Sequence, residues 1–388
     1  MIASRLDRVF EAAVRAGEVA GVVATAANDH GVVYRGAFGK RALGGDAAMT
    51  LDTVMWIASM TKAVTSVAAL QLVERGKVSL DEPLGNKVPE LSQVQVLEGF
   101  DDAGAPKLRP PRRAITLRHL LTHTAGFVYD IWNADMFRYQ QSLGVPNIIE
   151  CKNVSLATPL VFDPGERWEY GISIDWVGQA VEQLSGQALE QYFKQYIFGP
   201  LGMNDTAFVI GPDQRRRLAG MHVRKSDGSL KVIRFEVPQQ PEFFMGGGGL
   251  YSTGQDYLRF LRMLLGGGEL DGIRVLASET VAEMNRNQIG DLNVGALRTC
   301  MPSSSNDAEF FPGMPKKWGL AYMINAEDAA VGRSAGGLAW AGLANTYYWI
   351  EPSKRVAGVI LTQILPFADA QVLSLFEDFE RGIYASGQ

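Results

Sequence analysis

Strand-like segments lie at both ends of this chain, and a long stretch of helical and loop-like sequence separates them. The apolar segments with strand character are 21–26, 32–38, 346–350 and 356–362. Asn28-Asp29-His30-Gly31 joins the first two as a hairpin turn, whereas the stretch from about 84 to 237 has a mostly helical pattern. This order predicts a single sheet assembled from both termini, with a helical insertion between its halves.

The predicted fold class is α+β, with an antiparallel sheet flanked by helices and a mostly helical inserted domain. We expect residues 1–84 and 238–388 to form an α/β domain, and residues 85–237 to form the helical domain. Helical patterns at 5–16 and at 368–383 accompany the strands. A cleft is expected where the two domains meet, which is a common position for a small-molecule site.

Composition and charge disfavour several classes of protein. The 388 residues are 47% hydrophobic and 20% charged, which is typical of a soluble globular protein. A net charge of −5 and a pI of about 5.6 disfavour nucleic acid as a partner. No stretch approaches the roughly 18 apolar residues of a membrane span, and the first residues lack the apolar run of a secretory signal. We therefore expect a cytoplasmic protein that has neither nucleic acid nor a membrane as its partner.

Several smaller motifs carry less weight. Cys151 and Cys300 lack metal-ligand spacing, so two free thiols are expected. His119 and His123 are four residues apart, but leucine follows the first where a zinc protease needs glutamate, which favours a capping or structural role. Ser334 lies in a Gly-x-Ser-x-Gly pattern, yet a strand follows it where the hydrolase motif requires a helix.

The strongest chemical signal is Ser59-Met60-Thr61-Lys62, at the start of a helical pattern that ends at Gly76. Side chains three residues apart on a helix share one face, so the amine of Lys62 reaches the hydroxyl of Ser59. A serine hydroxyl needs an adjacent base to act as a nucleophile, and burial lowers the pKa of a lysine so that it becomes such a base. The pair predicts a nucleophile with its base.

Tyr170 is the second chemical residue, after the turn Asp163-Pro164-Gly165 and before a helical run from Ile174 to Leu184. A tyrosine near Ser59 can relay a proton between nucleophile and leaving group, and a nearby lysine cation would lower its pKa. Packing in the core is the alternative role for Tyr170. Asp175, on the same helical run, is expected only to cap or to pair locally.

Other residues are candidates for the walls of the cleft. The stretch 103–113, rich in proline and arginine, is predicted to be a loop that either borders the cleft or lies elsewhere on the surface. Trp318 is expected at the start of a strand near the cleft. Six aromatic residues either line an acyl or alcohol pocket or pack in the core: Phe127, Tyr129, Trp132, Trp168, Phe243 and Phe244.

These motifs together resemble the serine β-lactamase/penicillin-binding-protein superfamily, and within it the family VIII carboxylesterases, which are similar to class C β-lactamases. The resemblance covers nearly the whole chain. The segments that carry it are Trp56-Ile57-Ala58-Ser59-Met60-Thr61-Lys62, residues 117–127, Pro164-Gly165-Glu166-Arg167-Trp168-Glu169-Tyr170 and Gly199-Pro200-Leu201-Gly202-Met203.

The resemblance implies a β-lactamase/transpeptidase-like fold and a set of catalytic roles. Ser59 would be the nucleophile, Lys62 the general base and Tyr170 the proton relay, with an acyl-enzyme intermediate and no metal or organic cofactor. Backbone N–H groups of Ser59 and of the strand that carries Trp340 and Gly342 would form the oxyanion hole and bind the substrate.

The chain departs from the lactamases at two positions. Ile172 stands where they carry the asparagine of Tyr-x-Asn, and Trp340-Ala341-Gly342 replaces their Lys-Thr-Gly strand. Loss of the lysine removes the cation that would bind an anionic acyl substrate, and Trp340 provides an apolar wall instead. We therefore expect a small-molecule substrate that is a neutral ester with a short to medium acyl chain.

Four functions remain open on the sequence. The first is a carboxylesterase, and the second is an acyltransferase that shares the same first half-reaction. The third is a β-lactamase or D,D-peptidase, which the missing lysine and asparagine disfavour. The fourth is a catalytically idle ligand-binding or scaffold protein, which the Ser59–Lys62 pair and Tyr170 disfavour. The natural ester and the oligomeric state do not follow from the sequence.

Overall fold

The computed structural model describes residues 2–385, and its helices and strands follow the order expected for an α+β protein. The helices are α1 Ile2–Arg15, α2 Thr61–Glu74, α3 Leu117–Leu121, α4 Ala134–Leu143, α5 Asn153–Leu156, α6 Ser173–Ser185, α7 Leu189–Phe193, α8 Gly199–Leu201, α9 Pro212–Arg216, α10 Gly254–Leu265, α11 Ser278–Met284 and α12 Ala370–Tyr384. The strands are β1 Gly21–Asn28, β2 Gly31–Gly39, β3 Met55–Trp56, β4 Val96–Phe100, β5 Pro106–Arg109, β6 Met221–Arg224, β7 Leu230–Ile233, β8 Tyr251–Ser252, β9 Glu269–Leu270, β10 Ile273–Arg274, β11 Lys316–Trp318, β12 Met323–Asn325, β13 Leu338–Gly342, β14 Thr346–Glu351, β15 Val356–Leu361 and β16 Ile364–Leu365.

The main sheet has seven strands in the order β11-β12-β13-β14-β15-β1-β2, and every neighbouring pair is antiparallel. Strand β1, from the amino-terminal part, pairs with β15, from the carboxy-terminal part, so that Val23 lies opposite Leu361. The predicted fold class and the prediction of one sheet built from both termini are therefore confirmed.

Helices cover both faces of this sheet. Successive residues of a strand point to opposite faces, and on β14 both directions are buried. The ring of Tyr347 stacks on Phe376 of α12 at 5.1 Å, whereas the ring of Tyr348 packs against Tyr257 of α10 at 5.4 Å. A strand that is buried on both faces has a continuous apolar sequence, which is the pattern of residues 346–350.

Helix α2 is the central helix, and it runs behind the candidate nucleophile. All residues from Thr61 to Leu72 are buried, which is typical of a core helix that is apolar all round. It packs against α6, and Gly76 follows its end with a φ of 66°, a left-handed conformation that glycine adopts without strain. Ser59 precedes the helix and therefore lies where α2 and α6 meet the sheet.

The segment 85–237 holds the short helices α3 to α9 and two small hairpins. Strands β4 and β5 pair with each other, as do β6 and β7, and β16 runs parallel to β6. The expectation of a loop at 103–113 is therefore wrong in part, because Pro106–Arg109 forms β5. Arg109 anchors this strand through hydrogen bonds of 3.0 and 2.7 Å to the Asp163 carboxylate, a long-range contact that local sequence does not reveal.

Two smaller expectations are also tested by the fold. Cys151 and Cys300 are both free, as predicted. Trp318 ends strand β11 and does not begin it. Among residues 2–385, no helix is long and apolar enough to span a membrane.

We predict that the buried Arg333–Glu380 pair, which joins the loop before β13 to helix α12, contributes strongly to stability. Both side chains are 1% exposed, and the guanidinium donates two hydrogen bonds of 3.1 and 2.8 Å to the carboxylate. Glu380→Ala leaves the cation buried without a partner, which costs about 3–5 kcal/mol. Urea unfolding should show this loss, and Glu377→Ala, which breaks an exposed pair with Arg381, should change stability far less. Equal effects of the two variants would contradict the prediction.

Candidate active site

Ser59 lies on a one-turn 3-10 helix, Ala58–Met60, directly before α2. Ala58 has a φ of 45°, a left-handed conformation that is uncommon for a residue with a side chain. Ala58 and Met60 are buried, whereas Ser59 is partly exposed. The strained turn therefore presents the Ser59 hydroxyl to the cleft while its neighbours are held in the core.

Lys62 is one turn further along and is 1% exposed. Its Nζ lies 3.1 Å from Ser59 Oγ, 2.8 Å from the Tyr129 hydroxyl and 2.5 Å from the backbone oxygen of Gly247. An ammonium has three donors, so these three acceptors match it. Burial lowers the pKa of Lys62 to about 7, against the opposing effect of the Asp175 carboxylate. Both the ammonium and the free amine are thus accessible near neutral pH.

Asp175 has a larger role than the local cap or pair expected from the sequence. It is fully buried in the first turn of α6, and its Oδ1 accepts a 2.8 Å hydrogen bond from the backbone N–H of Gly247. Burial raises the pKa of Asp175 to about 6, while the nearby Lys62 cation opposes that rise. Because Gly247 also accepts from Lys62, a single residue links the acid to the amine.

Glycine is required at position 247 by this arrangement. A Cβ on Gly247 would lie 2.4 Å from the carboxylate of Asp175, which is closer than any van der Waals contact allows. The glycine run at 246–249 therefore serves close packing against α2 and α6. The contact between Asp175 and Gly247 joins residues far apart in the chain, so the sequence does not predict it.

Tyr170 and Tyr129 enclose the amine of Lys62. Their ring centroids lie 4.7 and 5.1 Å from Nζ, respectively. The Tyr170 hydroxyl accepts a 2.9 Å hydrogen bond from Trp340 Nε1. The expectation that a lysine lowers the pKa of Tyr170 is wrong, because burial outweighs the lowering effects of Ser59 and Trp340 and raises that pKa. Tyr170 is therefore a neutral phenol at physiological pH.

Strand β13 brings Trp340 and Gly342 to the same site. The indole of Trp340 packs edge-on against Tyr170 at 4.9 Å and against Trp318 at 4.6 Å. A Cβ on Gly342 would lie 2.3 Å from the backbone oxygen of Ile57. The missing side chain of Gly342 thus lets β13 run directly beside the turn that carries Ser59.

Two backbone N–H groups face the site without a protein acceptor. Within residues 2–385, neither the N–H of Ser59 nor that of Leu343 donates a hydrogen bond to another residue. Ser59 and Leu343 both line the two cavities described next. Both residues are partly exposed at these cavities, so their free N–H groups are suited to bind an oxygen atom of a ligand.

Two cavities flank Ser59. The larger cavity has a volume of about 50 Å³, and the smaller cavity has a volume of about 10 Å³. Ser59, Trp132 and Leu343 line both of them, whereas Tyr129 lines only the larger cavity and Tyr170 only the smaller one.

Of the six candidate aromatic residues, Tyr129 and Trp132 therefore reach this site. The other four line neither cavity. Phe127 packs against Trp176 and Phe244 against Phe208, whereas Trp168 stacks on the ring of Tyr170 at 6.4 Å.

The two histidines have structural positions, as expected. His123 is fully buried, and burial lowers its pKa well below the usual value. Its ring lies 4.7 Å from that of Tyr170, and its Nδ1 accepts from the N–H of Gly171, which supports the segment that carries the tyrosine. His119 Nδ1 accepts from the N–H of Thr116 and completes the cap of α3. Ser334 belongs to the loop before β13, where its N–H donates to Glu351.

The fold and the Ser59–Lys62 pair define a serine hydrolase with a β-lactamase/transpeptidase-like architecture. A family model described as Beta-lactamase matches residues 6–377. The chain belongs to this family, and the predictions of a superfamily member and of an enzyme are confirmed.

Curated relatives and a solved structure extend this comparison over the whole chain. The chain is 34% identical over 403 residues to the monacolin J acid methylbutanoyltransferase of Aspergillus terreus, covering 99% of this chain and 96% of that protein. It is 32% identical over 396 residues to the lovastatin esterase of Penicillium rubens, covering 98% of each. Simvastatin synthase from Aspergillus terreus is 32% identical, has a TM-score of 0.86 and covers 99% of this chain and 98% of its own. Esterase and acyltransferase chemistry is thus the supported class of activity.

The charge of Asp175 should set the pH at which the enzyme becomes active. Asp175→Asn keeps the shape but removes the carboxylate that raises the pKa of Lys62, so the free amine should persist to lower pH. We expect the rising limb of kcat/KM for p-nitrophenyl butyrate, near pH 7 in the wild type, to move to lower pH.

Asp256→Asn is the matched control for this prediction, because burial also raises the pKa of Asp256 to about 6 but its partners are Asp205 and Thr206. The control profile should keep the wild-type limb. An unchanged or raised limb in Asp175→Asn would contradict the assigned sign.

Proposed function

We propose that the protein is a serine carboxylesterase of the family VIII type, which hydrolyses neutral esters through an acyl-enzyme. The observation that carries this proposal is the 3.1 Å contact between Lys62 Nζ and Ser59 Oγ, in a site where Tyr170 lines the smaller cavity together with the same serine. Nucleophile, base and acid are the three groups that acyl transfer through a serine requires.

The acylation step begins at Ser59. The free amine of Lys62 takes the hydroxyl proton as Ser59 Oγ forms a bond to the ester carbonyl carbon. The carbonyl oxygen, now negative, accepts hydrogen bonds from the N–H groups of Ser59 and Leu343, which have no other acceptor within residues 2–385. We therefore propose that the N–H of Leu343, one residue beyond Gly342, forms the oxyanion hole together with that of Ser59.

Tyr170 serves as the acid of the same step. As the bond from the carbonyl carbon to the alkoxide breaks, the Tyr170 hydroxyl gives its proton to the leaving oxygen, and the Lys62 ammonium returns a proton to the phenolate. A raised pKa suits this role, because it keeps Tyr170 protonated until the alkoxide develops. Water then attacks the acyl-enzyme by the reverse path and releases the acid.

The cavities favour short to medium acyl groups and neutral substrates. The larger cavity of about 50 Å³ is open to the surface, so a short group fills it and a chain of medium length extends out of it. Trp340 occupies the position of a cation on β13, and no lysine or arginine lines either cavity within residues 2–385. A β-lactam carboxylate would therefore lack its partner, and we expect only weak β-lactam hydrolysis.

Loss of the Ser59 hydroxyl should abolish ester hydrolysis. We expect Ser59→Ala to reduce turnover of p-nitrophenyl acetate, butyrate and octanoate by about 10⁴-fold or more, with slow nitrocefin turnover in the wild type. Ser334→Ala is the matched control, because Ser334 occupies the competing motif and lies outside both cavities within the described chain. Full activity in Ser59→Ala, or its loss in Ser334→Ala, would refute this nucleophile. Fast nitrocefin turnover with poor esters would favour a β-lactamase.

An acyltransferase is the second candidate, and the names of the relatives favour it, since one is a methylbutanoyltransferase. Both functions share the acyl-enzyme and differ in the acceptor. With p-nitrophenyl butyrate and added ethanol, an acyltransferase yields ethyl butyrate as the main product even when ethanol is dilute compared with water. Chromatography of the products separates the cases, since a hydrolase gives butyrate almost alone.

A further inference from the structure

A carboxylate lies in the wall of the larger cavity beside the nucleophile. Asp130 lines this cavity together with Ser59, and Asp130 is only 6% exposed. Most of the remaining wall is apolar and includes Trp56, Ile131, Trp132, Ile148, Ile149 and Met245. A charge in such surroundings is costly unless it meets a partner of opposite sign.

No cation of the described chain neutralises Asp130. Within residues 2–385, no lysine, arginine or histidine lies within ion-pair distance of its carboxylate. Burial raises the pKa of Asp130, whereas hydrogen bonds from Asn147 and from backbone N–H groups lower it. Lys62 is already bound to Ser59, Tyr129 and Gly247.

Asn147 fixes this carboxylate in place. Its Nδ2 lies 2.9 Å from Oδ1 and 2.8 Å from Oδ2 of Asp130, and its own Oδ1 accepts a hydrogen bond from the N–H of Ile149. Asn147 also lines the larger cavity. Both side chains are therefore held before any ligand arrives, which is the preorganisation that a specificity subsite needs.

We propose that Asp130 is a specificity-determining residue, which selects esters with a cationic group on the part that fills the larger cavity and rejects those with a carboxylate there. This inference rests on the proposed function and names a substrate class for the same site. An ammonium supplies the missing opposite charge, whereas a second carboxylate meets repulsion in a wall without cations. The apolar residues bind the carbon chain between that group and the ester.

Charge-matched substrates test the inference. The p-nitrophenyl esters of ε-aminocaproate, heptanoate and adipate end in a cation, a methyl group and an anion, respectively. Butyrylcholine and neohexyl butyrate provide a charged and a neutral alcohol of the same shape. We expect kcat/KM to favour the cation over the anion by about tenfold or more in the acyl series, or butyrylcholine over its neutral isostere in the alcohol series.

Two variants separate charge recognition from structure. Asp130→Asn should lose most of this preference, since it removes the charge but retains the shape. Glu150→Gln is the matched control, because Glu150 is an exposed acid on the turn that follows Asn147 and does not line the larger cavity, and it should keep the wild-type ratio. If Asp130 serves only to anchor Asn147, the wild type should show no charge preference among these substrates. That result would overturn the inference.

Binding to the wild type decides the matter if Asp130→Asn fails to fold or if no ester is turned over. Calorimetry with hexylamine, hexanol and hexanoate should show tightest binding of the amine and weakest binding of the carboxylate. Equal affinities would overturn the role of Asp130. Tight amine binding without any ester turnover would instead refute the proposed esterase and leave the cation subsite standing.

Discussion

The burial of Lys62 among three oxygen acceptors is the interaction on which the site depends. Its amine contacts Ser59 on the turn before α2 and the backbone of Gly247, and Gly247 in turn binds Asp175 of α6. A fully buried ammonium is stable only when its donors are satisfied and a negative charge is near. One side chain thus fixes the mutual position of the turn, α6 and the glycine run, and the same burial brings its pKa close to neutrality.

Aromatic packing supplies the second support of the site. Trp340 donates to the Tyr170 hydroxyl and packs edge-on against Trp318, while the ring of His123 lies 4.7 Å from that of the tyrosine. These rings exclude water from the phenol of Tyr170 and hold the phenol beside Ser59. The indole of Trp340 therefore gives the Tyr170 hydroxyl a neutral donor within an apolar wall.

Local patterns predict the elements of this protein well, and long-range contacts explain the failures. The hairpin at Asn28-Asp29-His30-Gly31, the helix that begins behind Ser59 and the strands of the carboxy-terminal part follow from periodicity and turn residues. The sequence predicts only a local role for Asp175, because its partner, Gly247, is distant in the chain. The sequence predicts the wrong direction for the pKa of Tyr170, because it does not display the burial that raises this pKa. Similarly, Arg109 stabilises strand β5 through Asp163, a contact no local pattern predicts.

The pairing of β1 with β15 has a consequence for how the chain is made. The eight residues of β1 are almost wholly buried, yet their partner strand comes near the carboxy terminus, with Val23 opposite Leu361. During synthesis the first hairpin leaves the ribosome long before β13 and β15 exist, so its apolar edge has no native neighbour. The turn that carries Ser59 also lacks a native neighbour until β13 is made, because Gly342 of β13 packs against Ile57 in that turn. The nascent chain therefore has to keep an apolar strand edge from aggregating until its last strands emerge, and no catalytic centre exists before then.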